Sequence, residues 1–271
     1  MRYQAFSFAR RGYRPEENQD AFAADAALGR FAVADGASES GFAEVWARLL
    51  VEDFVQQGDV GIDRWTDRLP SLQEMWQAAV CAQPLPWWAK AKFQQGAFAT
   101  FLGVKVADKT RTDKQPDGVD ALETEPNSVE PAEVVPATKE SGSQDAFVWE
   151  AVAVGDACLF HTRQDQLLRA FPLHRAEQFN NYPNLVGSRY PPEYVREKLS
   201  LFSAGEACSE DRLWLVTDAL AQWCLARCEA GQWPWAEMAA KVSGGSSDWI
   251  KSLREAKQLR NDDVTLLCVV L

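Results

Sequence analysis

The sequence predicts an α+β protein in which antiparallel β-sheets are covered on the outside by helices. Strand-like stretches come in groups, and two or three helical patterns separate consecutive groups. One helix after every strand would instead indicate a parallel, doubly wound sheet. Several strand-like stretches are apolar at nearly every position, which is typical of strands that are buried on both faces.

The N-terminal part of the chain begins with strands and continues with helices. Strand-like patterns mark the following stretches: 3–8, 20–25 and 30–34. From Gly41 to Phe54, apolar residues recur every three or four positions, which indicates an amphipathic helix packed on a core. The same period predicts a second helix over 63–81.

The C-terminal part of the chain has a similar organisation. Its predicted strands cover 97–106, 147–154, 157–162, 166–171, 213–217 and the final apolar run 264–271. Its predicted helices cover 219–229 and 246–258. The final run is too apolar for an edge strand, so we expect it inside a sheet.

The segment at about 108–144 differs in composition from the rest of the chain. It is rich in acidic residues, contains four prolines and has few large apolar side chains. Such a long structureless loop is uncommon within a compact domain. We therefore interpret it as an acidic, flexible insertion between two neighbouring strands of one domain.

Length and charge restrict the class of protein. The chain has 271 residues, enough for one large domain over 1–271, and a formal net charge of −11. An acidic protein is disfavoured for binding nucleic acid or an anionic membrane, because both need a cationic face. The chain shows neither a signal peptide nor a membrane-spanning run. We expect a cytoplasmic monomer.

Aspartates stand at the ends of five apolar stretches. They are Asp20, Asp35, Asp156, Asp218 and the pair Asp262-Asp263. Strand ends are positions from which a rigid sheet can direct several side chains to one point. Asp is also a common helix N-cap and turn former, and Asp218 before the 219–229 helix is a plausible cap. The repetition at five junctions favours a shared site.

Carboxylates that meet in one pocket need cations. Two of them about 5 Å apart repel by roughly 3 kcal/mol at an effective dielectric constant near 20. Hard oxygen ligands select Mg²⁺ or Mn²⁺ over zinc, and the chain has two histidines and no Cys-x-x-Cys pair. A two-ion carboxylate site suits phosphoester hydrolysis, since it activates water and binds both the attacking and the leaving oxygen.

Five segments of the chain carry a family resemblance. They are ENQDAF (17–22), FAVADGAS (31–38), VAVGDACLF (152–160), LWLVTDALA (213–221) and RNDDVTLL (260–267). In this order they resemble the motifs of the metal-dependent protein serine/threonine phosphatases of type 2C, in the divergent bacterial branch. The resemblance implies a four-layer αββα sandwich of two antiparallel β-sheets flanked by helices, with metal ions at one end.

The resemblance also implies a ligand set for two Mn²⁺ or Mg²⁺ ions. Asp35 would bridge the two ions, and the carbonyl oxygen of Gly36 would complete one site. Asp218 and Asp262 would hold the other ion. A metal-bridging hydroxide would then attack phosphoserine or phosphothreonine in line, without a covalent phosphoenzyme.

Three further roles follow from the same resemblance. Asp20 would act through metal-bound water, and Asp156 together with Asp218 matches a weaker third metal site. Arg14 is the candidate for gripping the phosphate group. It lies four residues before Asn18, where the family has three, so that Arg10 and Arg11 compete with it.

The stretch after Gly36 departs from the family pattern. Residues 37–41 read ASESG, without the histidine that is frequent there, so water or another group would have to protonate the leaving oxygen. The leading interpretation is a metal-dependent phosphatase for a phosphorylated protein, such as the target of a cognate serine/threonine kinase in signalling. The altered stretch and the acidic insertion favour an alternative, a catalytically weak regulatory module that binds a phosphoprotein or a kinase. A third class is a hydrolase of small phosphoesters.

Overall fold

Two five-stranded antiparallel sheets form the centre of the protein. The computed structural model describes residues 1–82, 84–109, 146–180 and 182–271. The strands are β1 (Arg2–Phe8), β2 (Asp20–Asp25), β3 (Arg30–Asp35), β4 (Phe98–Ala99), β5 (Phe101–Asp108), β6 (Phe147–Val154), β7 (Cys158–Arg163), β8 (Gln166–Phe171), β9 (Val186–Gly187), β10 (Leu201–Ala207), β11 (Arg212–Val216) and β12 (Val264–Val270). The first sheet has the order β1-β12-β11-β7-β8 and the second β10-β6-β5-β3-β2, while β4 and β9 form a small third sheet.

Helices cover the outer face of each large sheet. On the second sheet lie α1 (Ala43–Gln57), α2 (Ile62–Asp67), α3 (Leu69–Val80) and α4 (Trp87–Gln95). On the first sheet lie α5 (Asp218–Glu229), α6 (Trp235–Val242) and α7 (Ser246–Glu255). Short helical turns occur at Pro15–Glu17, Ala176–Gln178, Pro192–Tyr194 and Val195–Leu199. The predicted α+β class with four layers is confirmed.

Three apolar cores separate the four layers. Leu102 and Leu215 belong to the core between the two sheets. Trp46 and Phe101 lie between the second sheet and its helices, and Trp214 lies between the first sheet and its helices. Neighbours along a strand, such as Trp214 and Leu215, enter different cores, because side chains alternate across a sheet. Both faces of the central strands are therefore apolar, as their composition predicted.

The predicted helix over 63–81 is divided in two. α2 ends at Asp67 and α3 begins at Leu69, with Pro70 in the first turn of α3. A proline there costs no hydrogen bond, since the first N–H groups of a helix have no partner within it, whereas deeper in a helix it would break the ladder. The apolar spacing was right, and the proline sets the boundary.

Strand β10 and helices α4 and α6 are elements that the sequence pattern did not predict. In β10, the positions that face inward include Ser203 and Gly205, which give no apolar alternation. A Cβ atom at Gly205 would lie 2.6 Å from the ring of Trp149 on the neighbouring strand. The large Trp149 side chain thus fills the space beside the small residues of β10. For this reason the sequence of β10 shows little of the apolar alternation that would predict a strand.

The predicted insertion at about 108–144 lies outside the described residues, apart from Asp108 and Lys109. The strands on either side of it, β5 and β6, pair with each other, with Asp108 opposite Phe147. Its flexibility and the single-domain organisation stay predictions. Within the described ranges, no helix has both the length and the apolar character needed to cross a membrane.

A buried ion-pair group ties together β7 and the turn before β11. The Asp211 carboxylate is 1% exposed and contacts His161 Nε2 at 2.9 Å and Arg163 Nε at 2.8 Å. It also accepts a hydrogen bond from the Cys208 backbone N–H at 2.8 Å. Burial alone would raise the pKa of Asp211, but the hydrogen bonds from His161 and Arg163 outweigh it and lower the pKa to about 2.

Replacing this carboxylate tests its contribution to folding. We expect Asp211→Asn to lower the free energy of unfolding by about 2 kcal/mol near pH 7, because it removes charge-assisted hydrogen bonds. The pKa of Asp211 is lower in the folded state, so its contribution is complete above about pH 4 and is lost as the pH falls towards 2. The deficit of the variant should shrink between pH 7 and pH 3 in urea unfolding followed by tryptophan fluorescence.

The matched control is Glu177→Gln, because Glu177 forms an exposed ion pair with Arg175. Exposed pairs contribute little, so this variant should change the free energy of unfolding by less than about 1 kcal/mol. A deficit for Asp211→Asn that is equally large at both pH values would contradict the assignment.

Candidate active site

The aspartates singled out from the sequence lie at one end of the sandwich. Asp35, the last residue of β3, is directly opposite Asp20, the first residue of β2. The others flank the ends of β6, β11 and β12 on the same side of the molecule: Asp156, Asp218, Asp262 and Asp263. We call these six residues the acidic end. Antiparallel pairing brings them together, because a strand that ends there lies beside one that begins there.

Thr217 connects the two sheets at the acidic end. Its hydroxyl donates a hydrogen bond to Asp20 Oδ2 at 2.9 Å and accepts one from the Thr265 backbone N–H at 2.9 Å. Thr217 is buried and directly precedes Asp218, the first residue of α5. The orientation of Asp20 in one sheet therefore depends on a residue of the other.

Gly36 permits a close approach of backbone segments next to Asp35. Its N–H donates a hydrogen bond to the carbonyl oxygen of Gln19 at 3.2 Å. A Cβ atom at this position would lie 2.8 Å from that oxygen and 2.9 Å from the Cβ atom of Ala43. Any larger residue would push the end of β3 away from the residues before β2, and with it Asp35 away from Asp20.

Burial and mutual repulsion raise the pKa values of three of the carboxyls. Burial and the Asp263 carboxylate raise the pKa of Asp20 to about 7. Burial, and then the Asp20 carboxylate, raise the pKa of Asp35 well above its usual range. Burial raises the pKa of Asp156 to about 6, although the Arg260 guanidinium opposes the shift. The charged form of the acidic end is thus costly without cations.

Several carboxylate oxygens of the acidic end are buried without a hydrogen-bond partner. They are Oδ1 of Asp20, both oxygens of Asp156, and Oδ1 of Asp218. Buried polar atoms in proteins are nearly always paired, and carboxylate oxygens are the donors that Mg²⁺ and Mn²⁺ prefer. The donor type therefore fits hard divalent cations. In the described part of the chain, however, no three His, Cys, Asp or Glu side chains are close enough to hold one ion.

A basic side chain lies among these carboxylates. The guanidinium of Arg260 forms an ion pair with Asp218, and its Nε lies 3.7 Å from Asp262 Oδ2. Arg260 comes from the loop between α7 and β12, two residues before Asp262. A cation of the protein itself thus contacts two of the predicted metal ligands.

Arg10 and Arg14, two candidates for binding the phosphate group, lie in different surroundings. Arg14 forms an exposed ion pair with Glu17 at 3.3 Å. Arg10 is half-buried, and its Nη1 donates to Ser38 Oγ at 2.8 Å while its backbone N–H donates to Asp263 Oδ1 at 2.7 Å. Arg10 therefore lies beside the loop that follows Asp35-Gly36, and Arg14 lies farther out on the surface.

Two loops at the acidic end are joined by polar contacts. Arg254 of α7 donates hydrogen bonds to the backbone carbonyls of Ala9 at 3.1 Å and Asp262 at 2.5 Å. Asn261 Oδ1 accepts the backbone N–H of Arg11 at 2.8 Å. These contacts set the position of the Arg10 loop relative to the Asp262 loop.

The sequence analysis gave no role to Arg254, Thr217 or Arg260. Thr217 and Arg260 lie within the motif segments quoted above and within two residues of a predicted metal ligand. Their proximity to these ligands in the sequence could have indicated that they belong to the site. Arg254 offers no such indication, because it contacts backbone carbonyls from a helix that is distant from Ala9 in the chain.

Neither histidine lies at the acidic end. His161 belongs to the Asp211 ion-pair group, and His174 is exposed. Both are therefore structural or surface residues. The 37–41 stretch after Gly36 contains two serines, and Ser40 Oγ caps its own turn through the carbonyl of Ala37 at 2.9 Å.

Comparison with known proteins identifies the fold. No family model and no curated protein matches the sequence. Among solved structures, a bacterial serine phosphatase is similar with a TM-score of 0.56 at 11% identity, over 100% of this chain and 97% of that one. The photosystem II phosphatase PBCP has a TM-score of 0.51 at 12% identity, over 100% and 98% of the two chains.

The catalytic domain of the serine/threonine protein phosphatase PstP is similar with a TM-score of 0.50 at 15% identity, over 98% of this chain and 96% of that one. That structure contains two manganese ions. The structural neighbours are thus serine/threonine phosphatases of type 2C, and the described residues of this chain have their fold.

Substitutions at Thr217 test the connection between the sheets. We expect Thr217→Val to lower the free energy of unfolding by about 1–3 kcal/mol, because it leaves the buried Thr265 N–H and Asp20 Oδ2 without their shared partner. Thr217→Ser keeps the hydroxyl and should lose much less. Chemical unfolding of the two variants provides the measurement, and equal losses would show that the methyl group matters and the hydroxyl does not.

Proposed function

We propose that the protein hydrolyses phosphoserine or phosphothreonine in a phosphorylated protein, with Mn²⁺ or Mg²⁺ as cofactor. The observation that supports this most is the acidic end, where buried carboxylate oxygens without partners gather on a fold shared with phosphatases. Carboxylates with raised pKa values at the end of a rigid sheet are typical of a catalytic site.

The proposed ligand set is the one that the family resemblance implies. Asp35 and the carbonyl of Gly36 would hold one ion, Asp218 and Asp262 a second, and Asp156 with Asp218 a weaker third. When bound, such ions activate water as a nucleophile and neutralise charge on the phosphate group. Asp20, directly opposite Asp35 and held by Thr217, is suited to orient water.

We assign the phosphate-gripping role to Arg10 in preference to Arg14. Arg10 already contacts Ser38 in the loop after Asp35-Gly36, and its Nε is buried without a partner. A guanidinium with free donors suits the oxygens of a phosphate dianion, which accept two parallel hydrogen bonds. Arg14 is exposed and its Nε is paired with Glu17, and no contact joins it to this loop in the described residues.

The alternative is a regulatory module that binds a phosphoprotein or a kinase with little or no turnover. The contact of Arg260 with Asp218 favours this alternative, because an internal cation reduces the demand for a metal ion. The two functions differ in one measurable property. Only the phosphatase releases inorganic phosphate from a phosphopeptide when Mn²⁺ is added.

The central test compares the wild type with Asp35→Asn. We expect the wild type to release phosphate from a phosphothreonine peptide in a Mn²⁺-dependent reaction. The variant should lose more than about 100-fold in kcat/KM, because mutating a residue that only supports a metal ligand already lowers activity by about 10–100-fold. The variant should fold as well as the wild type, since it removes one repelling charge. Asp248→Asn, an exposed carboxylate of α7, is the control and should keep full activity. Metal-independent or absent turnover by the wild type would contradict the proposal.

The arginine assignment has its own test. We expect Arg10→Ala to raise KM for the phosphopeptide by about 10-fold or more, with a smaller change in kcat, because a hydrogen-bonded charge is lost in both the ground and the transition state. Arg14→Ala should leave both constants within about twofold. Steady-state kinetics at saturating Mn²⁺ measure this, and a larger effect at Arg14 or Arg11 would overturn the assignment.

A further inference from the structure

Arg260 contacts the acidic end through interactions of its guanidinium with carboxylates. Within the described residues its guanidinium has two partners, Asp218 in an ion pair and Asp262, whose Oδ2 lies 3.7 Å from Nε. The Nε atom itself is buried and has no hydrogen-bond partner. Arg254 nearby differs, because it binds backbone carbonyls and acts as a fixed connection between loops.

The location of Arg260 overlaps with the proposed place of a divalent ion. Asp218 and Asp262 are the two side chains to which the second ion is assigned above. A divalent ion held by both side chains would have to lie between them, where the guanidinium now lies, and two cations in that space would repel each other. The other oxygen of Asp218 is buried and has no hydrogen-bond partner.

We propose that Arg260 is an internal cation that occupies the Asp218–Asp262 site and has to be displaced when a divalent ion binds there. This inference rests on the metal dependence of the proposed function. It explains why the carboxylates do not form a three-ligand cluster in the described residues, because two of them are turned towards the guanidinium. It also gives the acidic end a charge partner in the metal-free protein.

The Arg260 side chain is partly accessible to solvent. Residues 255–258 are exposed, but Leu259 is buried and Asn261 binds the Arg11 backbone, so the movement is confined to the Arg260 side chain. The Arg260 side chain is half-buried, so it can turn towards solvent without opening a core. Displacement reduces the apparent affinity for the ion by the fraction of molecules in which Arg260 has moved away.

The test measures Mn²⁺ binding directly, by isothermal titration calorimetry on the full chain. Arg260→Met keeps the length and apolar stem of the side chain and removes its charge. We expect its dissociation constant for Mn²⁺ to fall by about 10-fold or more, as removal of a competing state predicts. Arg260→Lys keeps a cation and should lie between the wild type and Arg260→Met.

A second measurement follows the stability of the same proteins. Without metal, Arg260→Met should melt below the wild type, because it leaves the Asp218 carboxylate unpaired. Saturating Mn²⁺ should raise the melting temperature of Arg260→Met by more degrees than that of the wild type, since tighter binding stabilises the folded state more. Arg196→Met is the control, because Arg196 pairs with Asp63 and Asp67 away from this site, and it should leave Mn²⁺ affinity unchanged.

The outcomes separate this inference from the proposed function. If Arg260→Met, shown to be folded by circular dichroism, binds Mn²⁺ no more tightly than the wild type, or if neither binds it, the inference is overturned. If the wild type hydrolyses a phosphopeptide with Mn²⁺ while the affinities are equal, the inference fails and the phosphatase proposal stands. If Arg260→Met binds Mn²⁺ more tightly but neither protein turns over, the inference stands and the phosphatase proposal fails.

Discussion

The crowding of carboxylates at one end of the sandwich is the constraint on which the rest of the site depends. Each buried pair of charges about 5 Å apart costs roughly 3 kcal/mol at an effective dielectric constant near 20, whereas a whole domain is stable by about 5–15 kcal/mol. The protein meets this cost in three ways. Burial and neighbouring charges raise the pKa of Asp20 to about 7, Thr217 donates a hydrogen bond to the same carboxylate, and Arg260 brings a positive charge to Asp218.

The scaffold can hold these groups because its strands are buried on both faces. Three apolar cores, one between the sheets and one under each helical layer, restrict the positions of the strand ends. Close backbone contact at Gly36 brings β3 and the start of β2 together, and Arg254 joins the Ala9 and Asp262 loops. Stability therefore comes from the cores, while the acidic end reduces it. Such a separation is common at catalytic sites, where favourable interactions elsewhere compensate for strained or charged groups.

The same arrangement relates the two candidate functions to each other. A phosphatase and a regulatory module can share one fold and one set of aspartates, and they differ in which cation neutralises the carboxylates. With Arg260 in contact with Asp218, a side chain of the protein itself neutralises part of the negative charge of the acidic end. Under the proposed function, divalent ions held by the same carboxylates would supply the Lewis-acid chemistry that phosphate hydrolysis requires. The two proposals together therefore make function at this site depend on whether Arg260 or a metal ion neutralises Asp218 and Asp262.

The sequence by itself determined the α+β class, the central strands and the aspartates that mark their ends. It could do so because alternating and continuous apolar residues reflect burial directly. An acidic residue directly after such an apolar run is easy to recognise and marks the end of the strand. It did not indicate β10, whose inner positions are small where Trp149 covers them, nor the division of the 63–81 helix at Pro70. The partners of the acidic end depend on contacts between residues far apart in the chain, such as Thr217 with Asp20 and Arg254 with Ala9. Only the tertiary structure decides which of several arginines reaches a carboxylate, because a long flexible side chain is positioned by its surroundings and not by its place in a sequence pattern.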